Sequence, residues 1–118
     1  MFEVNRAAIV VIPKQPLLDW LNLVDPGDFE LTLADIQLEP AVYLIPEVES
    51  EEELHVYLKR VAKEIFEQQL DDWITDDTLW PPDRSFEIFT HWFAVSYHSM
   101  VYDFSRKPLR PRGESQAL

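Results

Sequence analysis

Near its start the chain runs through six apolar residues, Ala7-Ala8-Ile9-Val10-Val11-Ile12, and stops at Pro13. A β-branched run this continuous, with no polar alternation, reads as a strand buried on both faces, at a central position beneath helices. That requirement shapes everything else the chain must contain: neighbours on both edges and helices to cover it. A second run, Ala41-Val42-Tyr43-Leu44-Ile45, closes at Pro46 and reads as another buried strand. Ala94 to Phe104 reads as a third. Val95, Tyr97, Ser99, Val101 and Asp103 oppose Ala94, Ser96, His98, Met100, Tyr102 and Phe104. Such mixed sides place it nearer the sheet edge or covered on one face only.

Helical periods fill the intervals. Pro16 suits a first helical turn, and Leu17, Trp20, Leu21 and Val24 follow at i, i+3, i+4 and i+7 before Asp25-Pro26-Gly27-Asp28 turns the chain. Thr32 with Asp35 makes an N-cap for a short helix through Leu33 and Ile36. Ser50 to Ile74 is the clearest helix. Ser50-Glu51-Glu52-Glu53 reads as its capping box, and Leu54, Leu58, Val61 and Ile65 as its stripe, widened by Tyr57, Phe66, Leu70 and Trp73. Lys63 with Glu67 reads as an i,i+4 pair. Asp83 or Ser85 caps a last short helix through Phe86, Phe89 and Trp92.

The order is β-α-(α)-β-α-α-β, an α/β (or α+β) fold with a small three-stranded sheet packed by helices. The crossover rule makes the first two strands parallel. With 118 residues the chain forms one domain and can bury roughly two-thirds of its unfolded surface. That domain is expected over 1–104, with 105–118 a flexible basic C-terminal tail.

Charge narrows the function classes. The tail holds Arg106, Lys107, Arg110 and Arg112 against Glu114, which leaves 21 carboxylates against six bases in the body. An anionic body repels nucleic-acid phosphates and acidic lipid, so no direct nucleic-acid or membrane partner is expected and a basic protein is. The absence of cysteine removes disulfides, thiolate nucleophiles and Cys-ligated metals. Gly27 and Gly113 are the only glycines and neither links a strand to a helix, so a phosphate-cradling loop is absent. No cofactor is indicated. The opening Met1-Phe2-Glu3-Val4-Asn5-Arg6 is unlike a secretory signal, and no window reaches the roughly 18 apolar residues of a membrane span. A soluble cytoplasmic protein is expected.

Three stretches carry a resemblance: Ala41-Val42-Tyr43-Leu44-Ile45-Pro46-Glu47, Trp73 to Trp92 around Leu79-Trp80-Pro81, and His98-Ser99-Met100-Val101-Tyr102-Asp103. Together they resemble a group of small, acidic, uncharacterised bacterial proteins over about residues 5–104. The resemblance implies a stand-alone bacterial domain and brings no activity, cofactor or site.

The residues themselves offer three readings. The first is a non-catalytic acidic protein-binding module, an adaptor or an inhibitor or immunity-type neutraliser of a basic partner. Its anchor is Trp80 on an exposed ridge with Asp76, Asp77 and Asp83, and its acidic face extends to Glu47, Glu49, Glu51 and Glu52. The second is a small metal- or ligand-binding protein or enzyme using His91, His98 and Asp103. The third is a self-associating structural subunit, with a homodimer as its simplest form. Ser99 beside His98 does not make a hydrolase pair, because strand neighbours point to opposite faces.

Overall fold

The computed structural model describes residues 1–27 and 30–112. A central strand β2 (Ala7–Pro13) lies between β3 (Ala41–Ile45) and β4 (Phe93–His98), the order being β3-β2-β4. Helices α1 (Gln15–Val24), α2 (Leu33–Ile36), α3 (Glu51–Trp73) and α4 (Phe86–Trp92) join them. A short 3₁₀ turn occupies Asp77–Leu79. Mixed helix and strand, one three-stranded sheet and one domain are what the sequence predicts. No helix among the described residues is long and apolar enough to cross a membrane.

Both neighbours of β2 are antiparallel to it, with Ala7 opposite Ile45 and Ala8 opposite His98. The parallel expectation for the first two strands therefore fails, for a physical reason. Two helices separate those strands, and the second brings the chain back to the end it left. Gln37, which closes α2, donates from Nε2 to the Pro13 carbonyl at 2.9 Å. Ala41 then pairs with Val11 and the chain must run the other way.

The caps follow local chemistry. Thr32 and Asp35 form a reciprocal box at α2, through bonds of 3.2 and 2.8 Å. At α3, Ser50 Oγ accepts from the Glu53 amide at 3.1 Å, while the Glu53 carboxylate accepts from the Glu49 amide, one residue before the expected partner. Three acids then sit in the first turn of α3, where the helix dipole favours them.

Side-chain alternation splits the sheet into two unlike faces. Ala7, Ile9 and Val11, with Ile45 and Phe93, join all four helices in a single buried apolar cluster. At its centre is Phe66 of α3, fully buried, with ring centroids 5.3 Å from Trp92, 5.4 Å from Phe93 and 6.2 Å from Phe89. Trp92 in turn meets Trp20 of α1 at 6.2 Å. The other face is uncovered among the described residues: Val10 and Ile12 are half-buried, and Val42 and Leu44 stand 62% and 44% exposed. The expected burial of the strands on both faces holds on one side only, because every helix contributes to the cluster on that side.

The third strand is divided rather than continuous over 94–104. After β4, the short strand β5 (Tyr102–Asp103) pairs with β1 (Phe2–Glu3), Glu3 facing Tyr102. The Val4 amide bonds the Val101 carbonyl at 2.9 Å and carries the ladder between them. Four residues separate Glu3 from Ala8 while three separate His98 from Tyr102. The register therefore shifts by one residue between the β1–β5 ribbon and the three-stranded sheet, which are separate ladders. Of the predicted tail, 105–112 is exposed coil that places Arg106 over the Phe2 ring at 5.8 Å. Residues 113–118, like Asp28 of the predicted turn, lie outside the described residues.

Phe66→Ala should lower the unfolding free energy by about 3–5 kcal/mol, the range for emptying a buried aromatic site. Chemical denaturation followed by tryptophan fluorescence measures this, and a loss below about 1 kcal/mol would mean the aromatic cluster is not the anchor.

Candidate functional site

Trp80 does not form a free ridge. Its ring is half-buried against the core, and its indole N–H donates to the Ile74 carbonyl at 2.8 Å. The Arg84 guanidinium lies 5.8 Å from the ring centroid while bonding Glu67 at 2.8 Å and the Pro81 carbonyl at 2.7 Å. From α1, Trp20 Nε1 reaches the Leu79 carbonyl at 3.0 Å. These bonds fasten the 74–85 loop to the body, so Trp80 holds the loop from inside. Glu67 pairs with Arg84 and not with Lys63, in the one ion pair among the described residues.

The acids divide between the two ends of α3. Glu51 and Glu52 stand in its first turn and Glu47 and Glu49 just before it, all exposed. Asp71 and Asp72 occupy the last turn, followed by Asp76 and Asp77. Glu51 and Asp72 are separated by about 32 Å along the axis at 1.5 Å per residue. The structure therefore holds two acidic groups and not one continuous face. Several acids already have local work. Asp76 caps the 3₁₀ turn, accepting from the Thr78 hydroxyl at 2.6 Å and the Thr78 amide at 3.1 Å, which holds its carboxyl below the usual range. Asp83 accepts from the Ser85 amide at 3.0 Å. Asp71 and Asp72 oppose the dipole at the negative end of α3, and only Asp72 has a side-chain partner, Gln68 Nε2 at 2.6 Å.

The histidines are dispersed. His91 is exposed in the last turn of α4, and His98 bonds Ser96 at 2.8 Å. His55 meets the Phe86 ring edge-on at 5.2 Å. Among the described residues no three His, Asp or Glu side chains gather as metal ligands, so His91, His98 and Asp103 form no such cluster.

What the structure offers instead is the open side of the sheet. Direct partners in an antiparallel ladder share a face. Ala8, Val10 and Ile12 thus lie with Val42 and Leu44 on one side and with Ala94, Ser96 and His98 on the other. None of these eight strand residues is Asp, Glu, Lys or Arg. The 41–45 run gave no hint of it, since five apolar residues in succession show no alternation. The signal that existed was Pro40 and Pro46 at its ends, typical of an edge strand.

A second feature lies along β3. The Tyr43 hydroxyl meets Gln68 and accepts from Gln69 Nε2 at 2.9 Å, and burial pushes its pKa up. Gln69 is buried within an otherwise apolar helix face, and sequence periodicity did not single it out. On either side of this contact, α3 stands off from β3 and leaves two hollows, of about 220 and 200 Å³. A larger hollow, about 600 Å³, is a curl of the 105–110 coil against Asp103. No protein-family model, no curated protein and no solved structure matches the chain.

Two substitutions test these assignments. Asp71→Asn should raise stability by about 0.3–1 kcal/mol by removing a charge that opposes the dipole, and thermal melting reads it. Asp76→Ala should destabilise at neutral pH. Because the folded pKa of Asp76 lies below its unfolded value, that difference is full above the ordinary carboxylate pKa and fades as pH falls through the lowered one. Paired denaturation curves near neutrality and below about pH 3 give the comparison; a difference independent of pH would remove the capping role of the charge.

Proposed function

We propose that the protein is a non-catalytic binding module that takes a basic protein partner, as an adaptor or as a neutraliser of a basic enzyme. The observation that carries this reading is the uncovered, uncharged apolar face of the sheet on a body of strong negative charge. Val42 and Leu44 give that face contact area that no part of the described chain covers. Interfaces combine such an apolar centre with a polar rim that excludes water. The 21 carboxylates against six bases of the body steer a basic partner and repel other acidic ones. Asp76, Asp77 and Asp83 at one end of α3, where Trp80 holds the loop, and Glu47, Glu49, Glu51 and Glu52 at the other contribute to that steering charge from the helix side.

A second copy of the chain fits this reading less well, because each copy brings a formal charge of −12 to the encounter. A cytoplasmic setting agrees with the lack of cysteine, and a bacterial one rests on the sequence resemblance. The test is affinity capture from nuclease-treated cell extract, comparing wild type with a Val42→Asp/Leu44→Asp double variant. Both positions are solvent-exposed, so the fold should persist, as circular dichroism can check. A basic protein held at low salt, released at high salt and lost with the double variant is the expected result. Retention that is indifferent to salt and to both substitutions would overturn the reading.

A further inference from the structure

We infer that the outer edge of β3 is a strand-addition site for a short, extended, basic segment of the partner protein, whose alternate side chains enter the two hollows between β3 and α3. This rests on the binding-module reading and specifies how the partner is held.

Four observations meet along this edge. First, β3 is a terminal strand of the sheet, and no backbone group of Ala41–Ile45 bonds outside its ladder with β2 among the described residues. An edge left this way is a template for another strand. Natural edges are commonly blunted by charges within the strand, and Ala41-Val42-Tyr43-Leu44-Ile45 has none. Pro40 and Pro46 stop pairing at both ends, which confines the site to about five residues, roughly 17 Å of extended chain.

Second, the hollows have the spacing an added strand needs. One lies at the Ile45 end, among Tyr43, Tyr57, Val61, Ile65 and Glu64. The other lies at the Ala41 end, among Pro13, Glu39, Asp72 and Trp73. Ala41 and Ile45 are four residues apart and share the helix-facing side of β3 with Tyr43. An added strand therefore presents residues i and i+4 to the two hollows and i+2 to the polar contact of Tyr43 with Gln68 and Gln69. Residues i+1 and i+3 fall on the opposite side and extend the open face beyond Val42 and Leu44.

Third, the charge has one sign. Glu64 lines one hollow, Glu39 and Asp72 line the other, and no Lys or Arg lines either. Lys and Arg suit such places because their aliphatic stems cover Tyr57, Val61 or Trp73 while their heads reach the carboxylates. Edge-to-edge pairing of two copies would bring these acids together, so the geometry favours a basic segment over a second copy. Fourth, Asp72 sits where the helix dipole disfavours an acid. Residues that break a local preference mark places where function competes with stability. The pattern selected is basic–apolar–polar–apolar–basic in an extended chain.

The experiment is selection of random heptapeptides displayed on phage, on the intact protein and on a Glu64→Lys/Asp72→Lys variant. Both carboxylates are exposed, and melting of the variant is checked first. Expected are peptides with Lys or Arg four positions apart and apolar residues between them, enriched on wild type and not on the variant. The best synthetic peptide, N-methylated at alternate amides, should bind wild type about tenfold or more weakly, because two or more ladder bonds are lost. That arm uses wild type alone and decides the question even if the variant fails to fold. Absence of enrichment, acidic or neutral consensus peptides, equal enrichment on a folded variant, or indifference to N-methylation each overturn strand addition. Capture of a salt-sensitive partner by the open face with no peptide selected would remove this inference and leave the binding-module reading standing.

Discussion

Phe66 is the contact on which the remaining structure depends. It is the point where α3, α4 and β4 meet, through Phe89, Trp92 and Phe93. Trp92 passes the contact on to Trp20 of α1, and its carbonyl accepts from the Lys14 amide at 2.8 Å where β2 gives way to that helix. Position along α3 is thereby tied to strand order. With two glycines and no disulfide, interlocking aromatics are the principal means this chain has of defining one arrangement.

Placing that cluster on one side of the sheet has a consequence for the other side. The helices of a chain this size, four of them in the described residues, suffice for one layer over three strands, and all four are drawn to the Phe66 side. The central strand is protected by its neighbours, so Ala8 is buried even without a helix above it. Flanking Val42 has no such shelter. Core packing is complete on the Phe66 side, whereas the apolar area of the far side and the outer edge of β3 have no cover among the described residues. The exposed apolar surface and the negative charge are thus separate physical features, the first acting only at contact and the second over distance.

The elements whose own residues dictate them were legible in the sequence. Thr32 with Asp35, Ser50 before three glutamates, and the Leu17–Trp20–Leu21 stripe each act within a few positions, so the chain announces them locally. The direction of β3 was not legible. The crossover rule describes one helix between parallel strands, whereas here two helices and the Gln37 bond to Pro13 return the chain to its starting end. Nor was the fate of Trp80. Its neighbours are acids and prolines, which suggest a surface ridge, but the acceptor of its N–H is Ile74 and its cover is Arg84, contacts set by the loop path. The open face was hidden for a similar reason, since a run of apolar residues is the same whether one face or both are covered.

The acidic residues show how local and long-range causes can be told apart within one charge excess. Asp35 accepts from the Thr32 amide, and Asp76 from both the amide and the hydroxyl of Thr78; the neighbouring threonine lowers the pKa of each and explains its presence without any partner. Glu51, Glu52 and Glu53 gain from the dipole of α3. Asp71 and Asp72 gain nothing from that dipole and stand at its negative end, and Asp72 also borders a hollow lined by Trp73 and the edge strand. Asp72 thus stands against the local field with Gln68 Nε2 as its side-chain partner, beside a strand edge that is unpaired among the described residues and in a hollow whose lining holds no cation. The same excess of acids thus divides into charges that build the fold and charges that the fold alone does not require.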